Sequence, residues 1–446
     1  MNVAGNRKVL AAKIATGLAV IPVLIFADSG GSDPRRSGAP GDTTCAVAMC
    51  HVGTPLNAGG GNVALTTSAG TSYRPGQQQT ITITMNDSKA KLYGFQMSAR
   101  MDSSPVLGQA GDFTAGTQQL VVCDLGDPKP NGSLCPANES VQFIEHSVPS
   151  PTNTANVTWT PPATNAGTVT LYAAANAADG DKSVLGDHIY TSQLTLCPVM
   201  GSSQPAPVIS SAQSAGGFNA KAGVAPGTWV EIFGRNFAAA SCLWQGADFN
   251  GINAPTSLGG VSVTIGGVNA FVDYVSSGQV NVQVPDGIPI GTGVPLVLSN
   301  SGGRSAPFPF DTSSIAPALL ALAQAPFMVN NKQYVVGLLA DQSFVGIPSR
   351  PAKSGDIVML YGIGFGPVTP ATPAGTIAPG TASLNNVTVL LNQTSAQVLY
   401  AGIAPGFVGL YQFNIKVPAV APNDYPLKVQ IGNVTVNQTL FITVGP

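Results

Sequence analysis

The 446-residue chain is short of charge: Lys, Arg, Asp and Glu make up only 9% of it, where soluble proteins usually carry about 25%. Glutamate is the scarcest of these, with Glu139, Glu145 and Glu231 the only three. That leaves little for the paired carboxylates of glycoside cleavage, and Glu231 falls inside an apolar, strand-like run. All three histidines (His51, His146 and His188) lie in the first half, so the second half has no imidazole base. His146 adjoins Ser147, but successive strand residues point to opposite faces, and no G-x-S-x-G elbow is present. These shortages argue against an enzyme. No long run repeats its apolar residues every 3.6 positions, which argues against helices. Past the N-terminus no stretch reaches 18 apolar residues, so no permanent membrane span is expected. The net charge is −2. It gives no electrostatic footprint for nucleic acid.

Glycine (52), proline (36) and a 44% share of hydrophobic residues are present instead. Apolar content this high, in regular alternation, separates the chain from disordered Gly/Pro-rich sequence. Many short strands joined by Gly/Pro turns define an all-β chain of tandem β-sandwiches.

At the N-terminus Arg7, Lys8 and Lys13 lead into the apolar stretch 14–26 (IATGLAVIPVLIF), with Ala27 as a cleavage point. Residues 1–27 therefore read as a signal peptide, and the protein as secreted or held at the cell surface or in the periplasm. An uncleaved anchor is the alternative. Losing residues 1–27 removes three cations and no acid, moving the net charge from −2 to −5. Export places the six cysteines where pairing is the default. Cys123 and Cys135 flank the turn-rich DLGDPKPNGSL, and a bridge there is worth roughly 2–3 kcal/mol. Cys197 and Cys242 are placed to bridge two domains.

Two copies of a nine-residue phrase organise the C-terminal half, WVEIFGRNF at 229–237 and IVMLYGIGF at 357–365. Each is a β-prone run broken by Gly at its sixth place and closed by Phe, a strand entering a bend. Further echoes follow both: GVSVTIGGVNAFVDYV (260–275) against NVTVLLNQTSAQVLYA (386–401), and VNVQVP (280–285) against FNIKVP (413–418). A duplicated β-domain is the reading. The expected organisation is a flexible tether at 28–44, a first sandwich at 45–198, repeats at 207–312 and 351–446, and a connecting hairpin at 313–350. The hairpin's turn falls at Asn330-Asn331.

Known families resemble both parts. The order GAPGDTTC…CHVG, YRPGQQQTITIT, YGFQMSAR and AGDF, closing on VTWTPPATNAGTVTLYAAANAADGDKSVLGDHIYTSQLTL, is similar to the bacterial Reeler (reelin-type) domain along residues 38–198. The resemblance implies an extracellular β-sandwich of surface and matrix proteins, with no known chemistry. WQGADFNGINAPTSLGGVSVTIGG, PAKSGDIVMLYGIGFGP and LYQFNIKVP resemble an uncharacterised C-terminal β-domain family of exported acidobacterial proteins. Each repeat also looks like an IPT/TIG module, the immunoglobulin-like unit with a strand and a G-x-x-F bend.

Three stretches carry candidate chemistry. Cys45-Ala-Val-Ala-Met-Cys50-His51 has the grammar of covalent c-type haem attachment: two thiols for the two vinyl groups and an adjacent imidazole for the iron. Its spacing is four residues where two is usual, a departure from the common motif. His146, His188, Met49 or Met97 would supply a sixth ligand. The competing reading is a local Cys45–Cys50 disulfide, or free thiols, with His51 exposed. Asp179, Asp181 and Asp187 form an acid cluster suited to Ca²⁺, or else a solvated turn. A metal site of His51, His146 and His188 lacks close ligand spacing. The glycines of YGIGFG (361–366) lack the following helix a nucleotide site needs and read as a bend.

The expected function is an exported, non-catalytic binding, adhesion or scaffold protein for an extracellular protein or carbohydrate partner, without a cofactor. The alternative is an extracytoplasmic electron-transfer protein with one haem on Cys45, Cys50 and His51.

Overall fold

Alternation decides the strands. In Gln79–Asn86 (QTITITMN) every second side chain is buried, with Ile81, Ile83 and Met85 inside, because a pleated strand sends successive residues to opposite faces. A computed structural model of the chain describes residues 30–46, 50–199, 201, 204–215, 224–322, 327–346 and 350–446. The expected signal peptide, 1–27, lies outside the described residues, as does Met49. Among the described residues there is no α-helix, only the single 3₁₀ turns Ala137–Glu139 and Gly246–Asp248.

The first domain has ten strands: β1 (Asn62–Thr67), β2 (Ser72–Tyr73), β3 (Gln79–Asn86), β4 (Leu92–Met101), β5 (Asp112–Thr114), β6 (Gln119–Cys123), β7 (Gln142–His146), β8 (Thr154–Thr160), β9 (Val169–Ala178) and β10 (His188–Pro198). They form a four-stranded sheet, β1-β3-β8-β5, facing a six-stranded sheet, β2-β10-β9-β4-β7-β6. Between the sheets pack Ile81, Ile83, Phe113, Trp159, Phe95, Met97, Leu171 and Leu196. Trp159 donates its indole N–H to the Ala110 carbonyl at 2.8 Å, so its one polar atom is satisfied in the core.

The outer face of the six-stranded sheet is covered too. On β4, Phe95, Met97 and Ala99 face the core, while Gln96, Ser98 and Arg100 alternate outward and are equally buried. The expected tether covers them. From Gly30 onward it is a packed strap, because the polar stripe beneath it needs partners out of water. Arg36 donates its backbone N–H to Gln96 Oε1 at 2.6 Å, and Arg100 holds Asp42 at 2.8 Å with neither side chain exposed. Arg35 reaches both Asp42, at 3.2 Å, and Asp124, at 2.5 Å.

The two nine-residue phrases form equivalent strands. Trp229–Arg235 pairs antiparallel with Gln279–Gln283, setting Val230 opposite Val282 and Ile232 opposite Val280. Ile357–Ile363 pairs antiparallel with Tyr411–Lys416, setting Val358 opposite Ile415 and Leu360 opposite Phe413. The echo extends outward, with Val261–Ile265 on Gly291–Asn300 and Val387–Leu391 on Asn423–Ile431. The Gly-to-Phe spacing has a steric cause. A Cβ on Gly234 would stand 2.0 Å from the Val208 carbonyl oxygen and 2.6 Å from the Phe237 ring, and one on Gly362 2.6 Å from the Phe365 ring and 2.7 Å from the Ala318 carbonyl oxygen. Glycine is required so that the aromatic can fold back over its own strand while the neighbouring strand's backbone lies close beside it.

The expected connecting hairpin turns at Asn330 (φ 49°) and Asn331 (φ 61°), as a type I′ turn requires. It is not a separate connector. Lys332–Tyr334 pairs in parallel with Leu440–Val444, and Gly337–Leu339 pairs with Ile357–Ile363, so these residues complete the last sheet. An edge left open by the repeat is thereby filled.

Asp273 interrupts the first repeat at a β-bulge between Val272 and Tyr274, with Oδ1 buried and unpartnered. Burial, with Glu231 nearby, raises its carboxyl to about 7, although backbone N–H groups pull the other way. A carboxyl raised on folding contributes stability that is complete below its unfolded value of about 4 and lost as pH rises through about 7. Asp273→Asn is therefore expected to match the native protein near pH 4 and to exceed it at pH 8 in urea melts. Equal midpoints at pH 8 would refute the buried carboxyl.

Candidate functional site

Between the strap and the outer face of the six-stranded sheet lies a cavity of about 420 Å³, within the usual range of small-molecule sites. Gly94 of β4 and Asn176 of β9, direct cross-strand partners, form part of its floor. Cys45 and His51 enter from the strap side, and His146 from the end of β7. Two of the three histidines and one of the two unpaired cysteines thus share one cavity.

Each group is held. His51 lies with Nδ1 2.7 Å from Asp187 Oδ2, and Asn176 Nδ2 stands 3.2 Å from its Nε2. It is half-buried, not exposed as the disulfide reading had it. Asn176 keeps a buried Oδ1 with no hydrogen-bond partner. His146 takes the Phe95 backbone at Nδ1, 3.0 Å from the amide nitrogen and 3.1 Å from the carbonyl oxygen. Gly94 makes this possible, since a Cβ there would meet His146 Cε1 at 2.6 Å. Beneath the strap, Glu145 is buried and accepts from Gln96 Nε2 at 2.7 Å and Ser32 Oγ at 3.1 Å.

Cys45 and Cys50 are both unpaired, so the local disulfide is not formed. His51 N–H donates to the Cys45 carbonyl at 3.1 Å. Loss of water around Cys45, reinforced by Cys50 and then Glu145 against the pull of Arg36, raises its thiol to about 12. A thiol that stays protonated at neutral pH is a poor nucleophile.

The other expected residues go elsewhere. Cys123 is bonded to Cys135, and Cys197 to Cys242 across the junction with the first repeat. The Asp179, Asp181 and Asp187 carboxylates do not converge as a Ca²⁺ site. Asp187 Oδ1 accepts the Asp179 N–H (3.1 Å), Asp179 Oδ1 that of Asp181 (3.0 Å), and Asp181 Oδ1 that of Ser183 (2.6 Å). Backbone amides of the turn consume the oxygens a cation would need. Among the described residues no three His, Cys, Asp or Glu side chains are grouped to hold a metal ion. His188 is occupied by Asp87, 2.5 Å from its Nδ1, and Tyr190 donates to the same oxygen at 2.6 Å. Burial alone would raise Asp87, but these hydrogen bonds outweigh it and hold the carboxyl below its ordinary range. Met97 is buried between the sheets, away from the cavity. Gly364 of YGIGFG, at φ +74°, forms a bend, with no helix after it.

Sequence reasoning missed the role of Asp187 as partner of His51, and missed Asn176 and Gly94 altogether. The outward polar alternation of β4 was the available signal that something covers this face.

The fold and the strap-covered cavity define a chain of tandem β-sandwich modules. Residues 44–178 match the family model of the Reeler domain, and residues 207–312 that of the IPT/TIG domain. The chain thus carries a Reeler domain followed by an IPT/TIG domain, and the strand pairing of the latter recurs in the C-terminal unit. Two crystal structures of the human F-spondin reeler domain are similar to this chain. One is 18% identical, covering 31% of this chain and 87% of that one with a TM-score of 0.22; the other is 17% identical, covering 32% and 94% with a TM-score of 0.23. No curated protein matches the chain. These module types fit a non-catalytic extracellular protein. No helix among the described residues is long and apolar enough to cross a membrane.

Proposed function

We propose that this is an exported, non-catalytic binding or scaffold protein whose sandwiches hold loops toward an extracellular protein or carbohydrate partner. The junctions between modules carry the reading. The Cys197–Cys242 disulfide, Asn165 Nδ2 to the Ala239 carbonyl at 2.9 Å and Gln245 Nε2 to the Thr195 carbonyl at 3.2 Å fasten the first domain to the first repeat. Gly375 N–H to Gln283 Oε1 at 2.6 Å, Ala374 N–H to Asp286 at 2.9 Å and Trp229 Nε1–H to the Val408 carbonyl at 3.1 Å fasten the two repeats. Modules fixed in this way present their loops in one constant arrangement, which suits display.

The exported protein is expected to begin near residue 28 by intact mass, to carry both disulfides and to show no turnover in a hydrolase panel. Retention in the cytoplasm with all cysteines reduced, or turnover of any substrate, would sink the proposal.

A further inference from the structure

We infer that the outer face of the last sheet, around Ile357, Met359 and Leu399, docks an aromatic, acid-bearing loop of a protein partner. This rests on the scaffold reading and narrows its partner from protein or carbohydrate to protein.

The two repeats carry the same face. Val230 and Ile232 are buried in the first phrase, Val358 and Leu360 in the second, so Trp229 and Glu231, and likewise Ile357 and Met359, point outward. On the strand beside them Gln279 Nε2 donates to Asn281 Oδ1 at 2.9 Å, and Gln412 Nε2 to Asn414 Oδ1 at 2.8 Å. The third strand bulges at the same register in both, between Val272 and Tyr274 and between Val398 and Tyr400. Leu399 is therefore the counterpart of Asp273.

Only the first copy is covered. There Trp244 follows the edge strand Cys242–Leu243, and its ring meets that of Trp229 at 5.6 Å although Gln279–Gln283 and Phe271–Val275 lie between their strands. The indole therefore lies across the face, with Phe249 beside it at 4.9 Å. In the second copy the corresponding stretch, 366–386, is drawn away, because Ala374 and Gly375 donate to Asp286 and Gln283 of the first repeat. That face keeps Ile357 42% exposed and Leu399 47% exposed. Phe344, 40% exposed, extends it through Leu338, the cross-strand neighbour of Met359. Large apolar side chains gathered on one face mark an interaction surface.

The counterpart and the charge decide what fits. The first copy is closed by an indole, so an aromatic ring suits the same patch in the second. Lys416 stands between Ile357 and Gln397, exposed and without an ion pair among the described residues, where the first repeat has the neutral Gln283. A carboxylate near the ring would meet it, and the covering segment of the first repeat carries Asp248 between Trp244 and Phe249. A neutral sugar would lie over Lys416 and leave its charge uncompensated.

The test is fluorescence anisotropy with the exported full chain and a labelled, cyclised peptide copying residues 243–250 (LWQGADFN). Saturable binding is expected, weakened about tenfold or more by Trp244→Ala in the peptide. Leu399→Asp in the protein should weaken it by about as much and still fold, since the first repeat holds an aspartate at that place, and Lys416→Glu should weaken it several-fold. Absence of saturable binding overturns the inference, as does binding indifferent to Leu399→Asp or to the peptide's tryptophan, or a soluble glucan whose binding Leu399→Asp abolishes. An exported, catalytically inert protein that ignores the peptide loses this surface and keeps the scaffold reading.

Discussion

Arg100→Met is expected to destabilise the first domain by about 3–5 kcal/mol, the usual cost of removing one partner from a fully buried ion pair. Arg100 is wholly enclosed. Its Nη2 is 2.8 Å from Asp42, its Nε donates to Ser98 Oγ at 2.8 Å, its Nη1 donates to the Val106 carbonyl at 2.5 Å, and its Cζ lies 5.3 Å from the Phe143 ring centre. Burial lowers its pKa, with Asp42 opposing that shift. The variant leaves the buried Asp42 with only the more distant Arg35, at 3.2 Å, and the Ser37 hydroxyl, at 2.7 Å, and leaves two acceptors without their donor. Arg100→Lys should recover little, because an ammonium cannot reproduce the guanidinium fork. The double change Arg100→Met, Asp42→Leu should cost less than the sum of the single changes, since it removes both charges together. Calorimetry of the four proteins measures this coupling, and strict additivity would mean that the pair does not hold the strap. Because Arg100 fastens Asp42 of the strap, the single variant should also expose residues 30–44 to protease.

Phe365→Ala is the second large effect, about 3–5 kcal/mol for emptying a wholly buried aromatic site. Phe365 packs against Phe413 at 4.6 Å and Tyr411 at 5.6 Å between ring centres, and lies over Gly362. Gly362→Ala forces that ring away and should cost roughly 1–3 kcal/mol as overpacking. Combining Gly362→Ala with Phe365→Leu should cost less than the two changes measured separately, because the smaller side chain yields the space. In the first repeat Gly234→Ala should cost more and be rescued less by Phe237→Leu, because its Cβ would also stand 2.0 Å from the Val208 carbonyl oxygen. Denaturant unfolding of both sets checks the claim, and freely tolerated alanines at Gly234 and Gly362 would contradict the steric account of the phrase.

Much of the architecture was legible along the chain. Period-two alternation such as that of Gln79–Asn86 specifies a strand and its buried face from local sequence alone, and the duplicated phrase announced a duplicated module because equal sequences bury equal faces. The Asn330-Asn331 turn was legible for a similar reason, its conformation being a property of the residues themselves. The candidate site was legible only in part: the order Cys45, Cys50, His51 marks possible chemistry, but nothing local tells where a histidine ring will lie.

The sequence by itself determined the all-β modules, their order and the cysteine–histidine segment. Tertiary structure alone decided that residues 30–44 form a strap and not a tether, since polar residues of Gln96, Ser98 and Arg100 type read as exposed until a distant Asp42 or Arg36 is folded onto them. It alone turned Asp187 from a calcium candidate into the partner of His51, across 136 positions of chain. Secondary structure follows from short-range alternation, whereas a site depends on which far-apart polar groups are forced together out of water.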